Sequence, residues 1–131
     1  MPDFLKPELN KANAAFWEGL KEEKFLLQKC SNCNEVFFPP RIACPECLSE
    51  DLSHLKSQGK GILYAFTEIR NKTPGFKTPY VIGIIELDEQ PGRFLSRIEA
   101  PFESLKIGMR MKVKYKHEKA FSVHIFVPDE V

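Results

Sequence analysis

Four cysteines form two matched pairs, Cys30-Ser-Asn-Cys33 and Cys44-Pro-Glu-Cys47, separated by ten residues, and the chain contains no other cysteine. Two Cys-x-x-Cys knuckles let four thiolates converge on one ion, which is the all-cysteine pattern of structural zinc. The spacer is short, yet it suffices for a compact ribbon with two facing knuckles. The expectation is one structural zinc held by Cys30, Cys33, Cys44 and Cys47.

Two alternatives stand beside it. With 131 residues, 43% of them hydrophobic, the chain has the material for a core without disulfide staples. A thioredoxin-like redox role uses one Cys-x-x-Cys at a helix start, whereas two symmetric pairs suit coordination. Iron is the other alternative, because rubredoxin-like sites use similar knuckles. Those knuckles turn on glycine after the second cysteine, where this chain has Asn34 and Leu48. Asparagine tolerates a left-handed backbone, and leucine does so poorly.

Charge narrows the classes of partner. Net charge is +1. Residues 1–57 carry 7 basic and 9 acidic side chains, and residues 58–131 carry 12 and 9, so neither half has the basic excess of an electrostatic nucleic-acid binder. The longest apolar stretch, Tyr80 to Ile85, is too short to cross a bilayer. Met1-Pro2-Asp3 lacks a basic start followed by an apolar run, which makes the cytoplasm the expected compartment.

Read along its length, the chain divides into a helical segment (1–24), a zinc ribbon (25–57) and a barrel (58–131). The spacing of Leu9, Ala12, Phe16, Trp17 and Leu20 predicts a helix over 7–23, with Pro7 in its first turn and Gly19 marking a bend or a division into two short helices. Phe25 to Lys29 and Glu35 to Phe38 read as short strands flanking the first knuckle, and residues 50–60 as a link. Five further strands are predicted at 62–70, 80–87, 93–99, 111–116 and 121–127. Turns are marked by Pro74-Gly75, Pro91-Gly92 and Lys106 to Gly108. The first of these strands has apolar groups on both faces and is expected to be buried twice. In the fourth, Met111, Val113 and Tyr115 oppose Lys112, Lys114 and Lys116, as where one face meets water. Five strands in so short a segment predict a small OB-type Greek-key barrel, which periodicity alone does not separate from an open sandwich.

The order of Phe16-Trp17, Leu26-Leu27-Gln28-Lys29-Cys30, Phe38-Pro39-Pro40-Arg41 and Cys44-Pro45-x-Cys47 resembles zinc-ribbon/OB-fold proteins associated with acyl-CoA metabolism. Gly61-x-x-Tyr64-x-Phe66-Thr67, Pro74-Gly75-Phe76, Pro79-Tyr80-Val81 and Ile107-Gly108-Met109 are similar to the same family's barrel segments. The resemblance implies a mainly β chain with an N-terminal helix, a rubredoxin-like zinc ribbon and a five-stranded OB-fold barrel. It also implies association with thiolase-like enzymes in CoA-thioester chemistry.

Independent catalysis is not expected. With four sulfurs on the ion, no thiol is left to accept an acyl group, and a coordinatively full ion has no open position for substrate. His54, His117 and His124 read as surface or packing residues, and no phosphate-binding glycine loop is present. Candidate surfaces for a partner or CoA thioester are Phe38, Pro39, Pro40 and Arg41 between the knuckles, and Phe76 with Lys77 in the loop before Pro79. Phe16 and Trp17 are candidates for a partner-facing helix. Phe37 and Phe38 each read equally well as cover for the ribbon's own core. Three functions follow: an accessory subunit of a thiolase-like enzyme, a single-stranded nucleic-acid binder of the OB type, and a rubredoxin-like electron carrier.

Overall fold

The computed structural model describes residues 6–129, so Met1-Pro2-Asp3 lies outside the described residues. Helix α1 spans Ala14–Lys21 and is shorter than the predicted 7–23. The cause is local. The Asn10 side chain accepts the backbone N–H groups of Ala12 and Asn13, each at 2.9 Å, while the Asn13 side chain accepts that of Asn10 at 2.8 Å. This reciprocal cap starts the turn at Asn10, and it leaves Pro7 outside the helix and Leu9 exposed. Gly19 does not break the helix; a side chain there would press on Leu26.

Strands β1 (Leu26–Cys30), β2 (Val36–Phe37) and β3 (Leu52–Lys56) form an antiparallel sheet in the order β2-β1-β3. The segment read as a link therefore holds the sheet's third strand, in register as Leu27 to Leu55 and Gln28 to His54. Its pattern lacks buried residues, so no alternation marks it in the sequence.

Strands β4 (Lys60–Ile69), β5 (Tyr80–Leu87), β6 (Arg93–Ile98), β7 (Arg110–His117) and β8 (Ser122–Pro128) close into a barrel in the order β4-β5-β6-β8-β7. All five match predicted strands to within two residues at either end. The OB-type closure rests on β4, which pairs with β5 and, across a register shift between Leu63 and Ala65, also with β7. Gly61 permits the crossing, because a Cβ there would strike the Glu86 carbonyl. The double burial expected of β4 is not observed: Leu63 is fully buried, but Tyr64 is 44% exposed under the Arg93 guanidinium. The alternation predicted for β7 is present, with Met111 buried and Lys112, Lys114 and Lys116 exposed.

One aromatic core joins helix, ribbon and barrel. Phe16 and Leu20 of α1 meet Phe25 and Leu27 of the ribbon and Phe94, Ile98 and Phe126 of the barrel. Ring centroids lie 5.5 Å apart for Phe16–Phe25 and for Phe25–Phe94, and 5.8 Å for Phe94–Phe126. Such contacts add to the burial of large apolar surfaces and hold the ribbon against the barrel.

Candidate metal centre and binding clefts

Each knuckle is a tight turn closed by a backbone bond from the residue after its second cysteine: Asn34 to the Cys30 carbonyl and Leu48 to the Cys44 carbonyl, both 2.9 Å. This geometry demands positive φ at both positions, 64° for Asn34 and 63° for Leu48. The left-handed turn forms on leucine despite its steric cost. Backbone N–H groups then aim at sulfur, from Cys33 to Cys30 Sγ at 3.5 Å and from Glu46 to Cys44 Sγ at 3.4 Å.

All four Sγ atoms lie within 4.8 Å of one another. The Cys30–Cys47 and Cys33–Cys44 contacts are 3.5 and 3.6 Å. Four sulfurs about 2.3 Å from a central cation form a tetrahedron with edges of about 3.8 Å, so the residues fit a four-thiolate metal site. Electrostatics agree. The Glu35 backbone N–H draws the Cys33 thiol down, but desolvation and the neighbouring sulfurs outweigh it and push it up to about 12. The Asn32 amide and the Ser49 backbone bring Cys47 down to about 6. Four adjacent thiols do not ionise together without a cation to share their charge. Cys30 and Cys44 are buried with Phe37 in the ribbon's small core, whereas Cys33 is exposed.

The loop between the knuckles is braced from within. Gln28, 8% exposed, accepts the Arg41 backbone N–H at 2.6 Å and donates to the Arg41 carbonyl at 2.8 Å. At the other end, the Phe38 N–H donates to the Pro91 carbonyl at 3.1 Å. The two phenylalanines divide their roles: Phe37 covers the metal centre, and Phe38 packs 5.1 Å from Phe16 and 5.0 Å from Phe94. Pro39 and Arg41 remain exposed.

The sequence candidates fall into two neighbouring clefts. Phe38, Pro39 and Pro40 share one of about 310 Å³ with Asn13, Phe16 and Trp17. Phe16 is nonetheless 5% exposed, so it anchors α1 in the core and does not face outward; half-buried Trp17 is the helix's accessible ring. Trp17 also borders a second cleft of about 370 Å³ with Phe76, Tyr80 and Leu95. Lys77 is not there. It lines a third cleft of about 430 Å³ with Glu68 and Glu99, across the ridge made by Tyr80 and Arg97. The structure thus separates Phe76 from Lys77, which the sequence reading had paired.

Two residues outside the candidate surfaces lie between these clefts: His124, read from the sequence as a surface or packing residue, and Arg97, which the sequence did not single out. His124 borders both the 310 and the 370 Å³ clefts, within 6.2 Å centroid distance of Phe16, Phe25, Phe94 and Phe126. Burial among these rings takes its imidazole down to about 4, and Ser96 Oγ lies 3.1 Å from Nδ1. Arg97 is the second. Its only local sign was its place with Arg93 and Leu95 on the outward face of β6.

A four-sulfur ribbon joined to a closed five-stranded barrel defines the metal-ribbon/OB-fold class. The chain belongs to the ChsH2 family: residues 17–53 match its rubredoxin-like zinc ribbon domain and residues 56–116 its C-terminal OB-fold domain. A DUF35 domain-containing scaffold protein of Methanothermobacter thermautotrophicus is 36% identical over 67% of this chain and 68% of its own length. A benzoylsuccinyl-CoA thiolase subunit, BbsA, of Thauera aromatica is 33% identical over 56% of this chain and 51% of its own. A probable enoyl-CoA hydratase alpha subunit of Thermomonospora curvata is 29% identical over 79% of this chain, which spans only 33% of that relative. The solved Ltp2-ChsH2(DUF35) aldolase contains a chain that is 26% identical and superposes with a TM-score of 0.88, covering 95% of this chain and 100% of the other.

Proposed function

We propose that this chain is a non-catalytic accessory subunit that docks on a thiolase-like acyl-CoA enzyme and helps hold or channel a CoA thioester. The observation that carries this reading is the whole-length likeness to one chain of the Ltp2-ChsH2(DUF35) aldolase, in a chain that itself matches the ChsH2 domain models. The scaffold and thiolase-subunit names of other relatives support it. Zinc is the ion assigned to Cys30, Cys33, Cys44 and Cys47, where it supplies a closed structural clasp. The clasp fixes the loop from Phe38 to Arg41, which with Trp17 forms the proposed partner surface. Phe76 and Lys77 flank the proposed thioester surface.

The chain's own nucleophiles support a non-catalytic role. His117 Nδ1 lies 2.8 Å from Ser122 Oγ, and Nε2 lies 3.1 Å from Glu23, a Ser-His-Glu chain in which the two ring nitrogens are exchanged relative to a hydrolytic triad. Ser122, however, is 4% exposed, and the adjoining cavity is about 100 Å³, too small for an acyl substrate. The three residues instead strap the end of α1 to the β7–β8 hairpin.

Affinity isolation of the tagged chain from its native source, followed by native mass spectrometry, tests the reading. An acyl-CoA enzyme at fixed stoichiometry is expected. Elution of the chain alone contradicts it.

A further inference from the structure

The lining of the 370 Å³ cleft holds one guanidinium, that of Arg97, and no carboxylate; Glu68 and Glu99 line the 430 Å³ cleft on the other side of Arg97. Arg70, Arg93 and Arg110 each meet a carboxylate within 3 Å, those of Glu68, Glu86 and Asp88. Among the described residues no carboxylate pairs with Arg97 in this way. Its guanidinium carbon lies 5.4 Å from the centre of the Phe76 ring and 5.8 Å from that of Tyr80, two rings stacked 5.1 Å apart. Half-buried beside apolar walls, this guanidinium gains more from an anion than one in open solvent.

The rest of the cleft selects the body that the anion must bring. Trp17 lines the same cleft as the Phe76–Tyr80 stack, and Leu95, 59% exposed, leaves apolar surface there in contact with solvent. Ser96 and His124 are paired with each other at 3.1 Å. The volume suits one ring system with a short substituent and is small for an entire CoA. Lys77, the group suited to a phosphate, is in the neighbouring cleft with Glu68 and Glu99, whose charges oppose a polyphosphate.

We infer that this cleft binds the ring-bearing end of an apolar carboxylate, with the ring between Trp17 and Phe76 over Leu95 and the carboxylate on Arg97. A free acid and an acyl group that keeps a second, free carboxylate while joined to CoA present the same chemistry. Assignment to the thioester rests on the proposed function; the binding itself does not.

The test uses the isolated full chain labelled with ¹⁵N, read at the indole N–H of Trp17, the only tryptophan. Titration with 2,6-naphthalenedicarboxylate and with its mono-CoA thioester is expected to give saturable shifts, and the tighter ligand identifies the source. Arg97→Gln is expected to weaken binding about tenfold or more, as is replacing the carboxylates by hydroxymethyl groups. Phe76→Ala is expected to weaken it as well, and each variant retains a dispersed spectrum because neither side chain belongs to the buried core. Absence of saturation by either ligand, undiminished affinity in Arg97→Gln, or displacement by CoA alone overturns the inference. Since no enzyme is present, this outcome is separate from that of co-isolation.

Discussion

Glu89, in the turn between β5 and β6, accepts the Ser57 hydroxyl at 2.8 Å, and its second oxygen accepts the Gln58 backbone N–H at 2.9 Å. Ser57 directly follows the last ribbon strand, and its own N–H donates to the Phe25 carbonyl at 2.8 Å. A barrel turn therefore grips the only covalent connection between ribbon and barrel. The same turn bonds Phe38 through Pro91, and so also holds the Phe38–Pro40 wall of the 310 Å³ cleft.

Glu89→Ala is accordingly expected to destabilise the chain by about 1–2 kcal/mol, the scale of losing two charge-assisted bonds at a half-buried site. Glu89→Gln, which retains one acceptor, should lose less. Urea unfolding of the two variants checks the order.

Leu48 is 77% exposed yet held at φ 63°. Leu48→Asn, which repeats the solution that Asn34 provides in the first knuckle, should raise stability by about 0.5–1 kcal/mol. Thermal melting measures it. A loss of stability would show that the turn is not strained by leucine.

His124 supplies a pH dependence whose sign is fixed by burial. Its folded imidazole is lowered to about 4, against about 6.5 in the unfolded chain, so between these values the unfolded state binds more protons. Stability present above pH 6.5 is lost as pH falls toward 4, by up to about 3 kcal/mol. His124→Phe should flatten this part of the pH profile. An unchanged slope would place the titration elsewhere.

Removing the ion should act first on the ribbon. Its strands are short and its small core is built around Cys30, Cys44 and Phe37, whereas the barrel has its own ladder of five strands. Hydrogen exchange after chelation is expected to accelerate at residues 26–37 and 52–56 before residues 80–87. Simultaneous loss of protection in all of them contradicts a locally acting clasp.

What was legible in the sequence had local causes. Cys-x-x-Cys spacing specified the metal centre, and alternation with glycine turns specified the barrel strands. Gly75, Gly92 and Gly108 all have positive φ at the predicted turns. The apolar spacing of Leu9 and Ala12 extended the predicted helix back to residue 7, and the side-chain bonds of Asn10 and Asn13 that shorten it have no place in that periodicity. Strand β3 was illegible because its pairing with β1 is non-local and its own side chains are mostly polar. Arg97 and His124 acquire their surroundings only when β6 and β8 are brought together by barrel closure, the first pairing with Ile125 and the second with Tyr115.

The central claim is that one zinc ion takes every sulfur of the two knuckles. Elemental mass spectrometry of the purified native chain, with alkylation under native conditions on the same sample, tests it most directly. The account predicts one zinc per chain and four protected cysteines. No stoichiometric metal, together with rapid alkylation of any of Cys30, Cys33, Cys44 or Cys47, would contradict it.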